Sequence, residues 1–256
     1  MNGPAPKKQG ILKTIGVIPA RFGSTRFPGK PLAMIDGKPM VQHVWEKASQ
    51  CEELDEVLIA CDQQEIFKTA QNFKAKVVMT NPNHVSGSDR IAEAVNNLDV
   101  DIVVNIQGDE PFIDPRTIDA LTVLLKKDTK ALMGTVIKEI TDDAEFLNPN
   151  VVKCVVDEQG NALYFSRSPI PHHRNKNASL FPKNYKHLGL YAYRKEFLME
   201  FKNWPKGALE SAEELEQLRA LEHGVKIKTT ITTYESMAVD TPQDLERANA
   251  WFAKLK

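Results

Sequence analysis

Short apolar runs alternate with amphipathic stretches along the first half of the chain. Residues 14–18, Glu56–Cys61 and Lys76–Met79 are rich in β-branched side chains and predict buried strands, and 101–106 is the most uniformly apolar run. Between these runs, apolar positions recur every three or four residues, as in Met40–Ala48, which predicts helices. Strand, helix and strand in this order predict βαβ units around a parallel sheet, with 101–106 at its centre.

The pattern changes in the middle of the chain. Residues 151–156 and Ala162–Ser166 flank a turn at 157–160 and predict a β-hairpin, which interrupts the βαβ rhythm. A further strand is predicted over Tyr185–Arg194. By its period of two, one face of that strand carries His187, Gly189, Tyr191 and Tyr193. Periodicity alone favours a packed aromatic wall over the side of a polar pocket.

Local signals mark the remaining element boundaries. Ser211 with Glu214 forms a capping-box pattern, which predicts one helix that starts there and ends at Gly224. Asp62 is predicted to cap the helix that follows it. Residues 236–240 predict a short strand, and Pro242 then stands at the favoured first position of a last helix.

Together these elements predict an α/β fold with a three-layer, doubly wound, mostly parallel sheet. One domain is expected over residues 14–256, with a β-rich insertion at roughly 148–206, and residues 1–13 are expected to form a mobile tail. The length of 256 residues, with 42% hydrophobic and 26% charged residues, is typical of a globular chain.

Composition and charge disfavour several classes of protein. The formal net charge is −1, from 33 basic and 34 acidic residues, so no basic excess is available to bind nucleic acid. No apolar run approaches the roughly 20 residues of a membrane helix, and no apolar segment follows the N-terminal lysines as in a signal peptide. Three cysteines without metal-ligand spacing predict reduced thiols. We therefore expect a cytoplasmic protein without a membrane partner.

A basic loop follows the first predicted strand directly. It contains Arg21, Arg26 and Lys30, and no acidic residue lies between them. Gly23 and Gly29 allow backbone N–H groups to approach a ligand closely. Three cations without a carboxylate suit a polyphosphate, so we predict a phosphate site here in preference to a solvated basic turn.

Two aspartates later in the sequence each follow a predicted strand. Asp109 comes after the central strand, and Asp240 ends the short strand before the last helix. Ligands of a doubly wound sheet bind beyond the carboxyl ends of the strands, so both aspartates are expected to face the basic loop. Asp114 could cap the helix after Asp109 just as well, and Thr241 is a better-placed cap for the last helix than Asp240. This leaves Asp109 and Asp240 to hold Mg²⁺, which prefers one or two carboxylates together with phosphate oxygens.

Several segments in the same order resemble the 3-deoxy-manno-octulosonate cytidylyltransferases (CMP-KDO synthetases), which move CMP from CTP onto the acidic sugar KDO. The matching segments are Ile-Pro-Ala-Arg-x-x-Ser-Thr-Arg-x-Pro-Gly-Lys-Pro from Ile18, Ser-Gly-Ser-Asp-Arg from Ser86, Gln-Gly-Asp-Glu-Pro from Gln107, Phe-Ser-Arg from Phe165, His-Leu-Gly-x-Tyr from His187, Leu-Glu-Gln-Leu-Arg from Leu215 and Val-Asp-Thr-Pro from Val239. The resemblance covers nearly all of residues 15–250. It implies a nucleotidyltransferase whose product serves lipopolysaccharide synthesis and whose insertion forms a homodimer contact.

The resemblance also implies roles for individual residues. Catalytic roles fall on Arg21, Lys30, Asp109 and Asp240, of which the two aspartates would hold Mg²⁺. The nucleotide would be bound by Ala20, Arg21, Ser24, Lys30, Arg90, Gln107 and Asp109. The sugar would be bound by Arg26, Gln107, Arg167, His187, Tyr191, Glu216 and Gln217.

The residues themselves leave other interpretations open. Sialic acid or another 2-keto acid is an alternative acceptor, although relatives that use these acids tend to have Gly-Gly-Ser-Lys where this chain has 22–26. A nucleotide sensor without turnover is a second alternative. The presence of Asp109 and Asp240 disfavours it, because a protein that only binds nucleotide has little need of two carboxylates for a metal. An RNA-binding module is a third, and the near-zero net charge disfavours it. Judged without the resemblance, Ser88 is a helix cap, and Glu216 and Gln217 are solvated.

Overall fold

The computed structural model describes residues 12–23, 27–174 and 183–254. The strands are β1 Thr14–Ala20, β2 Met34–Ile35, β3 Lys38–Pro39, β4 Glu56–Cys61, β5 Lys76–Met79, β6 Ile102–Asn105, β7 Met133–Glu139, β8 Lys153–Val156, β9 Ala162–Ser166, β10 Tyr185–Arg194 and β11 Ile227–Thr232. The helices are α1 Met40–Ala48, α2 Gln64–Asn72, α3 Gly87–Val95, α4 Pro115–Lys127, α5 Asp143–Leu147, α6 Lys195–Phe201, α7 Ala208–Glu213, α8 Gln217–Glu222 and α9 Pro242–Lys254. A 3₁₀ turn covers Lys30–Leu32.

The main sheet has the strand order β11-β7-β10-β6-β1-β4-β5. Strand β1 runs parallel to its neighbours β6 and β4, β4 is parallel to β5, and β11 is parallel to β7. Strand β10 is antiparallel to both β6 and β7. The predicted mostly parallel sheet is confirmed, and β6 lies at its centre as the apolar run indicated.

Alternate side chains of each central strand enter two separate cores, which makes the fold three-layered. On β1, Ile15 and Val17 pack with α3 and α6, whereas Ile18 and Ala20 pack with α1, α2 and α4 on the opposite face. A parallel sheet covered by helices on both faces is the doubly wound arrangement. The loops at the carboxyl ends of its strands are therefore free to form a site.

The predicted hairpin is present as β8 and β9, and it joins the main sheet where β8 pairs with the first residues of β10. Most of the predicted tail, 1–11, lies outside the described residues. Next to it, the backbone N–H of Lys13 donates to the Asp101 carboxylate at 2.9 Å. The division of the chain into a main domain and an insertion at roughly 148–206 stays a prediction.

Three local predictions are wrong, and each was overridden by contacts distant in sequence. Residues 236–240 are not a strand, because Val239 donates its N–H to the backbone oxygen of Asp109 and runs beside that loop. The predicted single helix from Ser211 is two helices, since Glu214 adopts a left-handed conformation with φ 53° between α7 and α8. Asp62 caps no helix, and its carboxylate accepts instead from Phe22 N–H at 2.9 Å.

Candidate active site

Lys30 connects the two aspartates that the sequence placed at strand ends. Its Nζ donates to Asp109 Oδ2 at 2.6 Å and to Asp240 Oδ1 at 3.0 Å. Burial disfavours the ammonium charge, but the two carboxylates outweigh this effect and raise the Lys30 pKa above its ordinary value. The fold therefore brings residues 210 positions apart into one charge cluster, although Asp240 does not follow a strand as the sequence predicted.

A cavity of about 510 Å³ opens beside this cluster at the carboxyl ends of β1 and β6. Six of the predicted site residues line it, namely Arg21, Lys30, Arg90, Gln107, Asp109 and Glu216. A volume of this size is typical of a small-molecule site. The three cations in this lining, Arg21, Lys30 and Arg90, suit an anionic ligand with several phosphates.

Arg90 reaches the cavity from the first turn of α3. Ser86 caps that helix and forms a capping box with Asp89, so the side chains of these two residues complete the helix start and Arg90 has no part in it. The Arg90 side chain is 3% exposed and donates to Thr80 Oγ1 at 2.6 Å and to Asp62 Oδ2 at 3.2 Å. A buried guanidinium held by two partners is rigid, which suits a residue that must orient a ligand.

The loop after β6 passes unusually close to the end of β1. A Cβ atom at Gly108 would lie 2.9 Å from the backbone oxygen of Pro19, so only glycine fits this position. This approach aligns Gln107 and Asp109 with the basic loop. The backbone of Ala20, which is itself buried, ends β1 directly beside them.

Strand β10 extends the site beyond Gln107. Tyr191 pairs with Asn105 in the sheet, and His187 packs against the rings of Phe165 and Tyr191. His187 and Tyr191 form the aromatic wall that periodicity predicted, and within the described residues they do not line the 510 Å³ cavity.

The ring of His187 has a defined tautomer. Its Nε2 lies 3.0 Å from Thr135 Oγ1, whose own proton is donated to the backbone oxygen of Leu190 at 2.8 Å. His187 Nε2–H must therefore be the donor, which leaves Nδ1 as an acceptor. Burial lowers the pKa of His187 to about 3, so the ring is neutral at physiological pH.

We expect His187 to remain unprotonated from pH 8 down to pH 5 and to weaken the fold in acid. The unfolded chain takes up this proton near pH 6.5 and the folded chain near pH 3, so stability is lost as the pH falls through this window. NMR titration of the ring checks the first point. Denaturant unfolding of His187→Gln should show a shallower decline below pH 6.5 than wild type. A His187 ring that titrates near pH 6.5 would contradict the lowered pKa and the burial that causes it.

The turn between α7 and α8 contributes Glu214 and Glu216 to the cavity lining. Glu216 accepts a hydrogen bond from Ser88 Oγ at 2.8 Å, and burial raises its pKa above the ordinary value. Gln217 is buried rather than solvated, and within the described residues its Nε2 has no hydrogen-bond partner. An unsatisfied buried donor is costly, and among the described residues Gln217 does not itself line the 510 Å³ cavity.

Arg167 lies outside the cavity lining of the described residues. Its side-chain Nε donates to the backbone oxygen of Glu213 at 2.8 Å. The backbone N–H of Arg167 donates to the Glu213 carboxylate at 2.9 Å. These contacts attach the end of β9 to the α7–α8 turn. The predicted Ser24 and Arg26 lie outside the described residues.

The sequence pattern did not indicate Glu110, although it is adjacent to Asp109. Burial, together with the negative charges of Asp109 and Asp240, raises its pKa to about 7 against the hydrogen bond from Ser236. An Asp-Glu pair after a strand shows which residue is nearer the strand end but not which of the two turns inward. Only the three-dimensional contacts separate their roles.

The chain is similar to known proteins over almost its whole length. The sequence profile of the cytidylyltransferase family matches residues 15–227. A 3-deoxy-manno-octulosonate cytidylyltransferase of Solibacter usitatus (strain Ellin6076) is 50% identical over 240 residues, covering 94% of each chain. An 8-amino-3,8-dideoxy-manno-octulosonate cytidylyltransferase of Shewanella woodyi (strain ATCC 51908 / MS32) is 48% identical over 93% of this chain and 97% of its own length.

A solved structure is also similar. The CMP:2-keto-3-deoxy-manno-octonic acid synthetase complexed with CTP has a TM-score of 0.91 and 42% sequence identity. The similarity covers 95% of this chain and all of the other.

Proposed function

The chain belongs to the cytidylyltransferase family, among the 3-deoxy-manno-octulosonate cytidylyltransferases, and we propose that its site transfers CMP from CTP to the anomeric 2-hydroxyl of KDO, releasing pyrophosphate. The observation that carries the proposal is the cluster of Lys30 with Asp109 and Asp240 beside a cavity lined by Arg21 and Arg90. Two carboxylates next to three cations suit a metal–triphosphate complex better than any neutral ligand.

Asp109 and Asp240 have the donor chemistry that Mg²⁺ requires. Both carboxylates reach one Lys30 ammonium, so they lie near enough to share a small cation. No cluster of three or more potential ligand side chains occurs in the part of the chain that the structure describes, so phosphate and water oxygens would complete the coordination. Bound there, Mg²⁺ would polarise the α-phosphate and lower the pKa of the attacking hydroxyl.

The cationic side chains would hold the triphosphate. Arg21 and Arg90 line the cavity and can neutralise phosphate oxygens, on which charge builds as pyrophosphate leaves. Lys30 would exchange its carboxylate partners for phosphate oxygens when the cation binds. This exchange keeps the local charge balanced in both states.

Side chains around the far end of the cavity would orient the sugar. Gln107 and Glu216 line the cavity, and a role in sugar binding for His187, which does not line it among the described residues, stays a prediction. Gln217 would satisfy its buried Nε2 with a sugar oxygen. Roles in sugar binding for Arg26, Arg167 and Tyr191, and in nucleotide binding for Ser24 and Ala20, stay predictions.

Pyrophosphate release tests the choice of acceptor. CTP and Mg²⁺ are supplied with KDO, its 8-amino-3,8-dideoxy analogue or sialic acid in parallel reactions. We expect release with KDO. Release with sialic acid alone would keep the chemistry and overturn the acceptor, whereas CTP binding without release from any acid would favour the nucleotide sensor.

We further propose that the chain forms a homodimer through the predicted insertion. Leu147 and Leu163 are 65% and 60% exposed, and a hollow of about 660 Å³ lies beside Phe146, Leu147 and Pro171. Exposed apolar side chains of this kind support an interface. Sedimentation should give twice the chain mass of 28.7 kDa for wild type. Leu147→Glu should shift it toward the monomer, while Met34→Glu, on an exposed site elsewhere, should not; a wild-type monomer would refute the dimer.

The location of the protein is proposed from its chemistry. Cys51, Cys61 and Cys154 are free thiols, which suits the reducing cytoplasm where CTP is made. In the described part of the chain, no helix has the length and apolarity needed to cross a membrane. Fractionation of cells that produce the chain should recover it with cytoplasmic markers, and recovery with another fraction would overturn the assignment.

A further inference from the structure

We infer that Asp62 is a positioning residue for the nucleotide, because its one carboxylate holds both Arg90 and the start of the basic loop in place beside the cavity. The inference rests on the proposed function, since it assigns a purpose to a side chain that lies behind the residues that would bind the triphosphate. Asp62 is not among the described residues that line the cavity, so it acts through its neighbours.

The two oxygens of the Asp62 carboxylate have different partners. Oδ1 accepts from the backbone N–H of Phe22 at 2.9 Å, and Oδ2 accepts from Arg90 Nη2 at 3.2 Å. The Asp62 side chain is only 8% exposed, so little water is available to replace either hydrogen bond. One buried negative charge therefore orients two separate parts of the site.

The bond to Phe22 fixes the base of the basic loop. Phe22 follows Arg21, which lines the cavity, and the backbone oxygen of Phe22 accepts from Gly29 N–H at 2.9 Å. Gly29 directly precedes Lys30, the cation that bonds to the two aspartates. The N–H and C=O groups of a single residue thus connect both ends of the loop to Asp62, and the positions of Arg21 and Lys30 depend on this connection.

Arg90 is held from a second side by Thr80. Arg90 Nη1 donates to Thr80 Oγ1 at 2.6 Å, and this hydroxyl group donates its own proton to the backbone oxygen of Cys61 at 2.9 Å. The bonds to Asp62 and Thr80 use two of the five N–H donors of the guanidinium. Because Arg90 also lines the cavity, further donors of the same rigid group can meet a ligand in a fixed orientation.

The three partners in this network come from adjacent strand ends. Asp62 directly follows β4, Thr80 directly follows β5, and Phe22 lies two positions after β1. These strands are neighbours in the sheet and run parallel, so their carboxyl ends meet at one edge. This is the edge at which ligands of a doubly wound sheet bind, so the network supports the nucleotide side of the cavity from below.

Two other roles for the Asp62 carboxylate predict different results. As a negative charge alone, it would repel a triphosphate, so its removal would strengthen CTP binding. As a purely structural contact, its removal would lower stability and leave the CTP affinity of the folded protein unchanged. A positioning role predicts weaker CTP binding, because Arg90 and the basic loop lose the group that holds them together.

Calorimetric titration of Asp62→Asn with CTP and Mg²⁺ tests the inference. Asparagine keeps the shape of the side chain but has one acceptor oxygen and one NH₂ group, so it can satisfy only one of the two donors. We expect the Kd for CTP to rise on the order of tenfold, with a larger rise in Asp62→Ala, which satisfies neither donor. The KM for KDO at saturating CTP should stay within about twofold, because Gln107 and Glu216 are held by other hydrogen bonds.

Asp55→Asn is the matched control. The Asp55 carboxylate also accepts from a backbone N–H, that of Thr14 at 2.7 Å, but at the amino end of β1 and therefore at the opposite edge of the sheet from the cavity. The CTP affinity of this variant should equal that of wild type. Thermal unfolding of every variant verifies that it is folded at the temperature of the titration.

Thr80→Val tests the same arrangement without altering Asp62 or the loop. Valine has nearly the shape of threonine, and the Cys61 oxygen keeps its second donor, the backbone N–H of position 80 at 2.8 Å. Only the other hydrogen bond of Arg90 is removed, so CTP binding should weaken roughly threefold. This variant keeps the test decisive if a substitution at position 62 prevents folding.

The outcomes are distinct. Unchanged or stronger CTP binding in the Asp62 variants, an unaltered CTP affinity in Thr80→Val, or equal rises in the KM values for CTP and KDO would each overturn the positioning role. A wild-type protein that binds CTP without releasing pyrophosphate would overturn the proposed transfer alone, because calorimetry needs no turnover. A wild-type protein that binds no CTP would overturn both.

Discussion

Asp109→Asn is expected to lower kcat on the order of 10³-fold while CTP affinity changes by no more than a few-fold. Asparagine keeps the shape of the side chain but removes the charge that holds Lys30 and would hold Mg²⁺. Arg21 and Arg90 still grip the triphosphate in the variant, so the loss falls on the transition state, where metal and electrostatic stabilisation act. Pyrophosphate release gives kcat, and calorimetric titration with CTP gives the affinity.

Asp114→Asn is the matched control for this substitution. Asp114 lies in the same loop but caps α4, and asparagine is an equally good cap, so kcat should stay near the wild-type value. Equal losses of turnover and CTP affinity in Asp109→Asn would contradict the role of this carboxylate. They would show that it supports nucleotide binding in the ground state instead.

Lys30→Met is expected to lower kcat/KM on the order of 10²-fold and, at the same time, to strengthen the binding of a divalent cation in the absence of nucleotide. The ammonium group donates to Asp109 and Asp240 and therefore competes with any cation for the same oxygens. Without it, the two carboxylates are left facing each other and attract a metal more strongly. Phosphate stabilisation is lost in the same variant, which lowers the rate.

Electron paramagnetic resonance of Mn²⁺ measures the metal affinity, and pyrophosphate release measures the rate. Lys38→Met serves as the control, because Lys38 pairs with Glu46 on the surface, remote in sequence from both aspartates. It should change neither quantity. If Lys30→Met bound Mn²⁺ no better than wild type, the competition between lysine and metal for the aspartates would be refuted.

The strands, most helices and the general place of the site were predictable from the sequence because they depend on local periodicity and on one topological rule. Apolar runs predicted β1, β4, β5 and β6. The rule that ligands bind beyond the carboxyl ends of parallel strands predicted that Asp109 lies near the basic loop. Asp240 was placed correctly for a partly wrong reason. Its segment is not a strand, yet the hydrogen bond from Val239 to the Asp109 loop holds it at the same edge.

The errors occurred where a polar side chain has a partner that sequence spacing cannot reveal. Asp62 precedes a helix and is a residue type that often caps helices. Its carboxylate instead accepts hydrogen bonds from the Phe22 N–H and from Arg90. Ser88 likewise looked like a cap, whereas Ser86 performs that role and Ser88 bonds to Glu216, 128 positions away.

The most direct test of the central claim is ³¹P NMR of a reaction containing the chain, CTP, Mg²⁺ and KDO. We expect the three CTP resonances to be replaced by one phosphodiester signal, from CMP joined to KDO, and by pyrophosphate in equal molar amount. Omission of KDO should leave CTP intact. Unchanged CTP in the complete reaction, or its breakdown to CMP and pyrophosphate without a sugar phosphodiester, would contradict cytidylyl transfer.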